Sequence, residues 1–163
     1  MARRDAGVDD LAGLRTVADY QFGAGAGTAL FPPDEDHRIR RSNSGRPRQV
    51  VRADDPAVRV VSYGTDGRFS LGVEGGRRLL AAFDPPRARV AVGEESREFV
   101  RDGRNAFAKF VRDVDPAVRP GDDVLVVDDR DELLGVGRAE LPADWMADFD
   151  SGMAVKVRHG NPG

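Results

Sequence analysis

Glu98-Phe99-Val100-Arg101-Asp102-Gly103-Arg104-Asn105-Ala106-Phe107-Ala108-Lys109-Phe110-Val111 changes its local preference within a few residues. Ser96 stands ahead of it as a helix cap, and Ser96 to Arg101 predicts a short helix. Gly103 ends that helix, because glycine enters the left-handed backbone region without steric penalty. From Ala106 to Val111 the chain is extended. The flanking sequence is built from equally short pieces. Arg89 to Val92, Val124 to Val127, Leu133 to Arg138 and Met153 to His159 read as strands. Pro142 to Phe149 reads as a helix with its proline near the first turn, where a missing N–H does no harm. Roughly 75 residues of this kind suggest a small mixed β pseudo-barrel.

Toward the N-terminus the pattern is different. Asp9 to Phe22 predicts a helix, with Asp9 or Asp10 as its cap and Leu11, Leu14, Val17 and Ala18 as one apolar stripe. Gly23-Ala24-Gly25-Ala26-Gly27 follows. It lacks the preceding strand and the Lys-Ser/Thr ending of a phosphate-binding loop, so a close-packed turn into Ala29-Leu30-Phe31 is the better reading. Val58 to Tyr63 and Arg68 to Leu71 are strand-like and joined by Gly64-Thr65-Asp66-Gly67, a hairpin signal. Glu74 to Phe83 predicts a helix, and Asp84-Pro85-Pro86 stops it. The expected organisation is α+β: a small α+β domain over 8–86, then the pseudo-barrel over 87–160.

Composition narrows the chemistry. The chain has no cysteine, and its two histidines, His37 and His159, are far apart, so no cofactor and no stoichiometric zinc are expected. No apolar run approaches the roughly 20 residues of a membrane span, and the start carries no apolar signal core; a cytoplasmic location is the expectation. Lys109 and Lys156 are the only lysines against a large excess of arginine, and aspartate dominates the acids. Such a surface suits a GC-rich genome and an archaeon living in high salt, where planar arginine contacts matter more than counterion release. Asp122-Asp123 and the turn Asp128 to Glu132 are read as solvated acidic runs rather than acid–base or magnesium sites. No nucleophile elbow, paired histidine motif or thiol is present, so no catalytic residue is expected.

Three cationic features remain. His37 to Arg52 carries six arginines and no acid, and Arg40, Arg41, Arg46 and Arg48 are candidate contacts for a phosphate backbone. Gly103 admits a close backbone approach, with Arg104 and Lys109 flanking it with positive charge and Asn105 in the same stretch. Phe107 and Phe110 either stack on bases or pack in the core. In Val155-Lys156-Val157-Arg158-His159 strict alternation puts Lys156 and Arg158 on one face, with His159 beside them. Loss of either cation is expected to change stability by no more than about 0.5 kcal/mol.

These segments also resemble a known family. Glu98 to Val111, Arg119-Pro120-Gly121-Asp122-Asp123-Val124, Leu133 to Arg138 and Ala154 to Gly160 are similar to the C-terminal PUA domain of archaeal tRNA-guanine transglycosylases and archaeosine synthases. Ala18 to Gly25, Leu30-Phe31-Pro32 and Ser42 to Arg46 resemble the small domain preceding PUA in those enzymes. The resemblance implies a PUA-like barrel that grips structured RNA, often a tRNA acceptor stem, through the loop after its first helix and its last strand. Here these are Arg101 to Asn105 and Lys156 to His159. The base-exchange barrel of such enzymes, with its catalytic aspartates and cysteine-containing zinc site, has no counterpart in this sequence. The expectation is therefore an RNA-binding protein, for tRNA or another structured RNA, that is not an enzyme and serves archaeal tRNA modification as an accessory factor or subunit. The alternative is a protein-interaction module that partners a catalytic tRNA-modifying subunit.

Overall fold

A computed structural model of the chain describes residues 8–163, with side chains from Asp10 onward. The chain divides into two compact units, the first running to Ala82 and the second from Phe83 to Gly163.

The first unit consists of α1 (Val8–Phe22), α2 (Ala26–Leu30), four strands and α3 (Val73–Ala82). The strands β1 (His37–Arg41), β2 (Pro47–Arg52), β3 (Arg59–Tyr63) and β4 (Phe69–Leu71) form one antiparallel meander in sequence order. Ile39, Val50, Val61 and Leu71 stand opposite one another across it and are buried, while Arg40, Gln49, Ser62 and Ser70 form the adjacent polar row. Leu11, Leu14 and Ala18 of α1, Leu30 and Leu79 complete the core, and Val17 is half-buried. The glycine run is a packing device. Gly23 and Gly25 take φ of 108° and 93°, and a Cβ on Gly27 would lie 2.5 Å from the Arg15 carbonyl oxygen. Asp19 accepts the Gly27 N–H at 2.7 Å, closing α2 against α1.

One local expectation for this unit is corrected, and a segment without a predicted element takes one. Asp9 and Asp10 lie inside α1 rather than at its cap, and Asp10 instead binds Arg41 at 2.7 Å. The arginine segment 37–52 is a β-hairpin, β1–β2, closed by Ser42 to Arg46 with Gly45 at φ 90°.

His37 sits at the inner end of β1 with almost no exposure. Its Nε2 lies 2.6 Å from Glu35 and 2.9 Å from Arg78, Arg78 also pairs with Glu35 and Glu74, and the edge of Phe31 closes the site. Burial lowers the pKa of His37 below its ordinary 6.5; Glu35 pulls it up, and Arg78 pushes it further down. The folded chain therefore holds a neutral imidazole that the unfolded chain protonates near pH 6.5. This contribution is complete above pH 6.5 and is lost as the pH falls through the lowered value. The urea midpoint should fall between pH 7.5 and 5.5, and His37→Gln should flatten that slope. Identical slopes for the two proteins would refute the assignment.

The second unit is a nearly closed pseudo-barrel. Its strands are β5 (Arg89–Val92), β6 (Ala106–Phe107), β7 (Val111–Val114), β8 (Asp123–Val127), β9 (Leu133–Ala139) and β10 (Met153–Gly160). They form a mixed sheet in the order β6-β10-β9-β8-β5-β7, with β5 and β8 parallel. Val90, Val92, Val100, Val124, Val126, Leu134, Met146 and Val155 fill the interior. The helices α4 (Arg97–Arg101) and α5 (Ala143–Asp148) lie on this sheet. Ser96 precedes α4 but makes no capping hydrogen bond, since it ends a 3-10 turn and is itself buried. The stretch Ala106 to Val111 is not one strand, because a 3-10 turn at Ala108–Phe110 separates β6 from β7.

The acidic turn is also corrected. Asp128 is buried, accepts the amides of Arg130 and Glu132, and lies 3.1 Å from Arg97. Asp131 holds Arg89, and Glu132 reaches both Arg97 and Arg101. These carboxylates fasten the turn to the barrel.

Candidate nucleic-acid interface

Helix α4 ends in a tight reversal. Asp102 N–H donates to Glu98, Gly103 N–H to Val100 and Arg104 N–H to Phe99, with Gly103 at φ 89°. A Cβ on Gly103 would meet nothing within 4 Å, so this backbone faces open space. The reversal is seated on β10. A Cβ on Gly160 would lie 2.1 Å from the Arg101 carbonyl oxygen and 2.7 Å from Gly103 N. Asn105 Oδ1 accepts the Val157 N–H at 2.9 Å, so the side chain of Asn105 positions the turn. Arg101 has a similar fastening role: it donates to the Asn161 carbonyl at 3.0 Å and approaches Glu132 at 3.5 Å. Arg104 is exposed, with its guanidinium 5.4 Å from the ring centroid of Phe99, itself 51% exposed.

The strand beside the turn supplies the charge. Register slips between Val157 and His159, which makes Arg158 an extra residue, and Gly137 lets β9 come close to the carbonyl of Lys156. Lys156 stands opposite Arg138 of β9, and these two line a hollow of about 240 Å³ with Val157 and Arg158. Val157 is thus both a wall of the hollow and the anchor of Asn105, so turn and hollow adjoin. Arg158 binds Asp123 through two hydrogen bonds of 2.9 and 2.7 Å, and Arg138 binds Glu140 at 2.9 Å. Lys156 is exposed and makes no ion pair among the described residues. The expected equivalence of Lys156 and Arg158 therefore fails for stability. Removing Arg158 takes two charge-assisted hydrogen bonds from the nearly buried Asp123 carboxylate, which costs more than the usual surface change of about 0.5 kcal/mol.

Other expected residues lie elsewhere. His159 is exposed on β10 next to Gly160. Lys109 belongs to the 3-10 turn that docks at the start of β10, where Ala108 N–H donates to Gly152, and its ammonium stands 5.0 Å from the Phe110 ring. Phe107 is 45% exposed, whereas Phe110 is half-buried. In the first unit Arg41 is spent on Asp10 and Gly45, and Arg46 on the carbonyls of Pro47, Tyr63 and Gly64. Arg40 holds Gln49 and the Pro56 carbonyl. Arg48 is exposed on a hollow shared with Ser42, Ser44, Arg46 and Ser62.

Arg138 and Phe99 are additions that the sequence reading did not name. Arg138 is the one exposed residue in an otherwise buried β9, and its position opposite Lys156 depends on the pairing of two distant strands. Phe99 sits on a five-residue helix, too short for a periodicity argument to tell its outer face from its inner one. Among the described residues, no helix is long and apolar enough to cross a membrane, and no group of three or more His, Asp or Glu is placed to hold a metal.

Residues 12–86 match the model of the patch-forming domain C2 of tRNA-guanine transglycosylase, and residues 88–160 that of the PUA domain. The chain is 47% identical over 154 residues to the tRNA-guanine(15) transglycosylase of Methanothermobacter thermautotrophicus, covering 94% of this chain and 23% of the relative. It is 42% identical to the enzyme of that name from Pyrococcus furiosus, covering 90% of this chain and 24% of the relative. The chain thus spans about a quarter of the length of the curated relatives it matches. Its fold is shared with a PUA-domain crystal structure from Aeropyrum pernix K1, at a TM-score of 0.71 and 18% identity over 98% of this chain and 86% of the other.

Proposed function

We propose, from the match of residues 12–86 to the patch-forming domain C2 of tRNA-guanine transglycosylase and of residues 88–160 to the PUA domain, that the chain binds structured RNA, above all tRNA. It does so in the cytoplasm as an accessory factor or separate subunit of tRNA modification of the archaeosine type, beside a catalytic protein and without an active site of its own. The observation that carries this reading is the adjacency of an open glycine turn and a cationic hollow. A backbone with no Cβ lets a sugar-phosphate chain come close, and Arg104, Lys156, Arg158, Arg138 and His159 surround that approach. Arg101 and Asn105 hold the turn, and Lys109 stands apart from it, on the 3-10 turn at the start of β10. Recognition of this kind reads shape and phosphate rather than base sequence. The β1–β2 hairpin is a second anchor, resting mainly on Arg48 and Arg40, with Arg41 and Arg46 holding the hairpin's form.

Titration of labelled tRNA with the full chain over a range of KCl tests this. Lys156→Ala and Arg104→Ala should each lower the slope of log K against log salt by somewhat under one unit and weaken all RNA sequences alike. Each should leave stability within about 0.5 kcal/mol. Neutralising Arg48 should change the salt dependence with less effect on affinity. If affinity for tRNA survives the combined loss of Arg104, Arg138 and Lys156 at moderate salt, this surface is not the RNA site.

A further inference from the structure

Helix α5 carries a surface of opposite chemistry. Its inner residues Ala143 and Met146 are 4% and 0% exposed and complete the barrel core. On its outer side Trp145 and Phe149 stack, with centroids 5.2 Å apart and planes at 25°, yet they remain 52% and 42% exposed. Two large rings packed on each other but left half in water form an apolar patch that invites a partner. The rim that α5 and its flanks supply is acidic, while Lys109 and Arg112 stand on the turn and the strand beneath it. Asp144, Asp148 and Asp150 are exposed and make no ion pair among the described residues, and no Lys, Arg or His occurs between Arg138 and Lys156.

Position separates this surface from the cationic one. Helix α5 packs on β7 and on the Ala108–Phe110 turn, and the chain leaves it for the start of β10. The glycine turn seats against Gly160 at the other end of that strand, roughly 25 Å away at the usual strand rise. An indole and a phenyl ring offer their faces to a cation, the three carboxylates offer it ion pairs, and burial of both rings supplies the apolar contact. Phosphate-bearing partners, whether RNA or an anionic lipid surface, meet repulsion from the same carboxylates. We propose that the Trp145–Phe149 face docks a basic protein surface, one that presents arginine or lysine beside an apolar side chain. This holds whether or not the other face binds RNA.

Trp145 is the only tryptophan of the chain, so its fluorescence reports on this face alone. The full chain is titrated with a short peptide alternating arginine and leucine, with the charge-reversed peptide alternating glutamate and leucine, and with tRNA. The arginine peptide should shift or quench the emission saturably, while the glutamate peptide and tRNA leave it unchanged. Combined Asp144→Asn, Asp148→Asn and Asp150→Asn should weaken the arginine peptide about tenfold or more. Phe149→Ser should abolish the response while the thermal midpoint and circular dichroism confirm a folded chain. A silent tryptophan, an equal response to both peptides, or quenching by tRNA would overturn the proposal. Concentration-dependent dimerisation that buries Trp145 would overturn it in favour of a second copy of the chain.

Discussion

Asp131→Asn is expected to destabilise the second unit by about 3 kcal/mol. Arg89 lies on β5 with 3% exposure, and its guanidinium meets the Asp131 carboxylate in two parallel bonds of 2.7 and 2.9 Å. The Arg87 carbonyl, at 3.0 Å, is a further acceptor, but it is uncharged. Asp131 takes φ 61°, a left-handed conformation that asparagine also tolerates, so the exchange removes the charge with little change to the turn. Breaking a buried pair from one side costs about 3–5 kcal/mol, and the low end applies because the Asp131 side chain is one-third exposed. For a unit of this size that is a fall of roughly 12–24 °C in Tm. The double exchange Arg89→Met with Asp131→Asn should recover part of the loss, because it also removes the buried charge that Asp131→Asn leaves without its carboxylate. Urea unfolding of the two single variants and the double variant measures this. An Asp131→Asn protein within 1 kcal/mol of the parent would show that Arg89 is solvated by other means.

That ion pair also shows where reading the sequence stops. The hairpin at Gly64 to Gly67, the glycine end of α4 and the proline before α5 are local signals, each set by a residue's own backbone preference, and each was legible; the alternation in β10 located that strand but not its bulge at Arg158. Partners distant in sequence were not. Asp128 to Glu132 looks like a solvated run of like charge because its neighbours in sequence are acids. Its partners Arg89 and Arg97 come from elements some 31 to 42 residues away. The same limit hid the β1–β2 hairpin. Its buried residues are His37 and Ile39 of β1, only one of them apolar, and the adjacent Val50 and Val51 of β2, where the register slip breaks the period-two pattern. The arginines that mask the pattern serve the fold as much as any partner, since Arg41, Arg46 and Arg52 all bind groups within their own unit.

For the candidate interface the division is the same. Gly103 and Lys156 to His159 announce themselves by backbone chemistry and alternation. The difference between Lys156 and Arg158 does not, because it depends on Asp123 of β8, and the place of Arg138 depends on which strand β9 pairs with.

The two glycines at the turn separate positioning from contact. Gly103 has a positive φ and open space, so Gly103→Asn keeps a tolerated left-handed residue and should change stability by no more than about 1 kcal/mol. Its side chain would stand where the proposed RNA backbone approaches, and affinity for tRNA should fall about tenfold, a loss of roughly 1.4 kcal/mol. Gly160 is the reverse case. A methyl group there would lie 2.1 Å from the Arg101 carbonyl oxygen and 2.7 Å from Gly103 N, both backbone atoms that cannot swing aside. Gly160→Ala must therefore push the turn off β10 and strain the Asn105 contact to Val157, at a cost of about 1–3 kcal/mol. Its Tm and its affinity for tRNA should drop together, whereas Gly103→Asn lowers affinity alone. Unchanged affinity in Gly103→Asn would mean that RNA rests on the hollow of Arg138, Lys156 and Arg158 without approaching the turn. Unchanged Tm in Gly160→Ala would mean that the turn is not seated on the strand, and the adjacency on which the RNA reading depends would be lost.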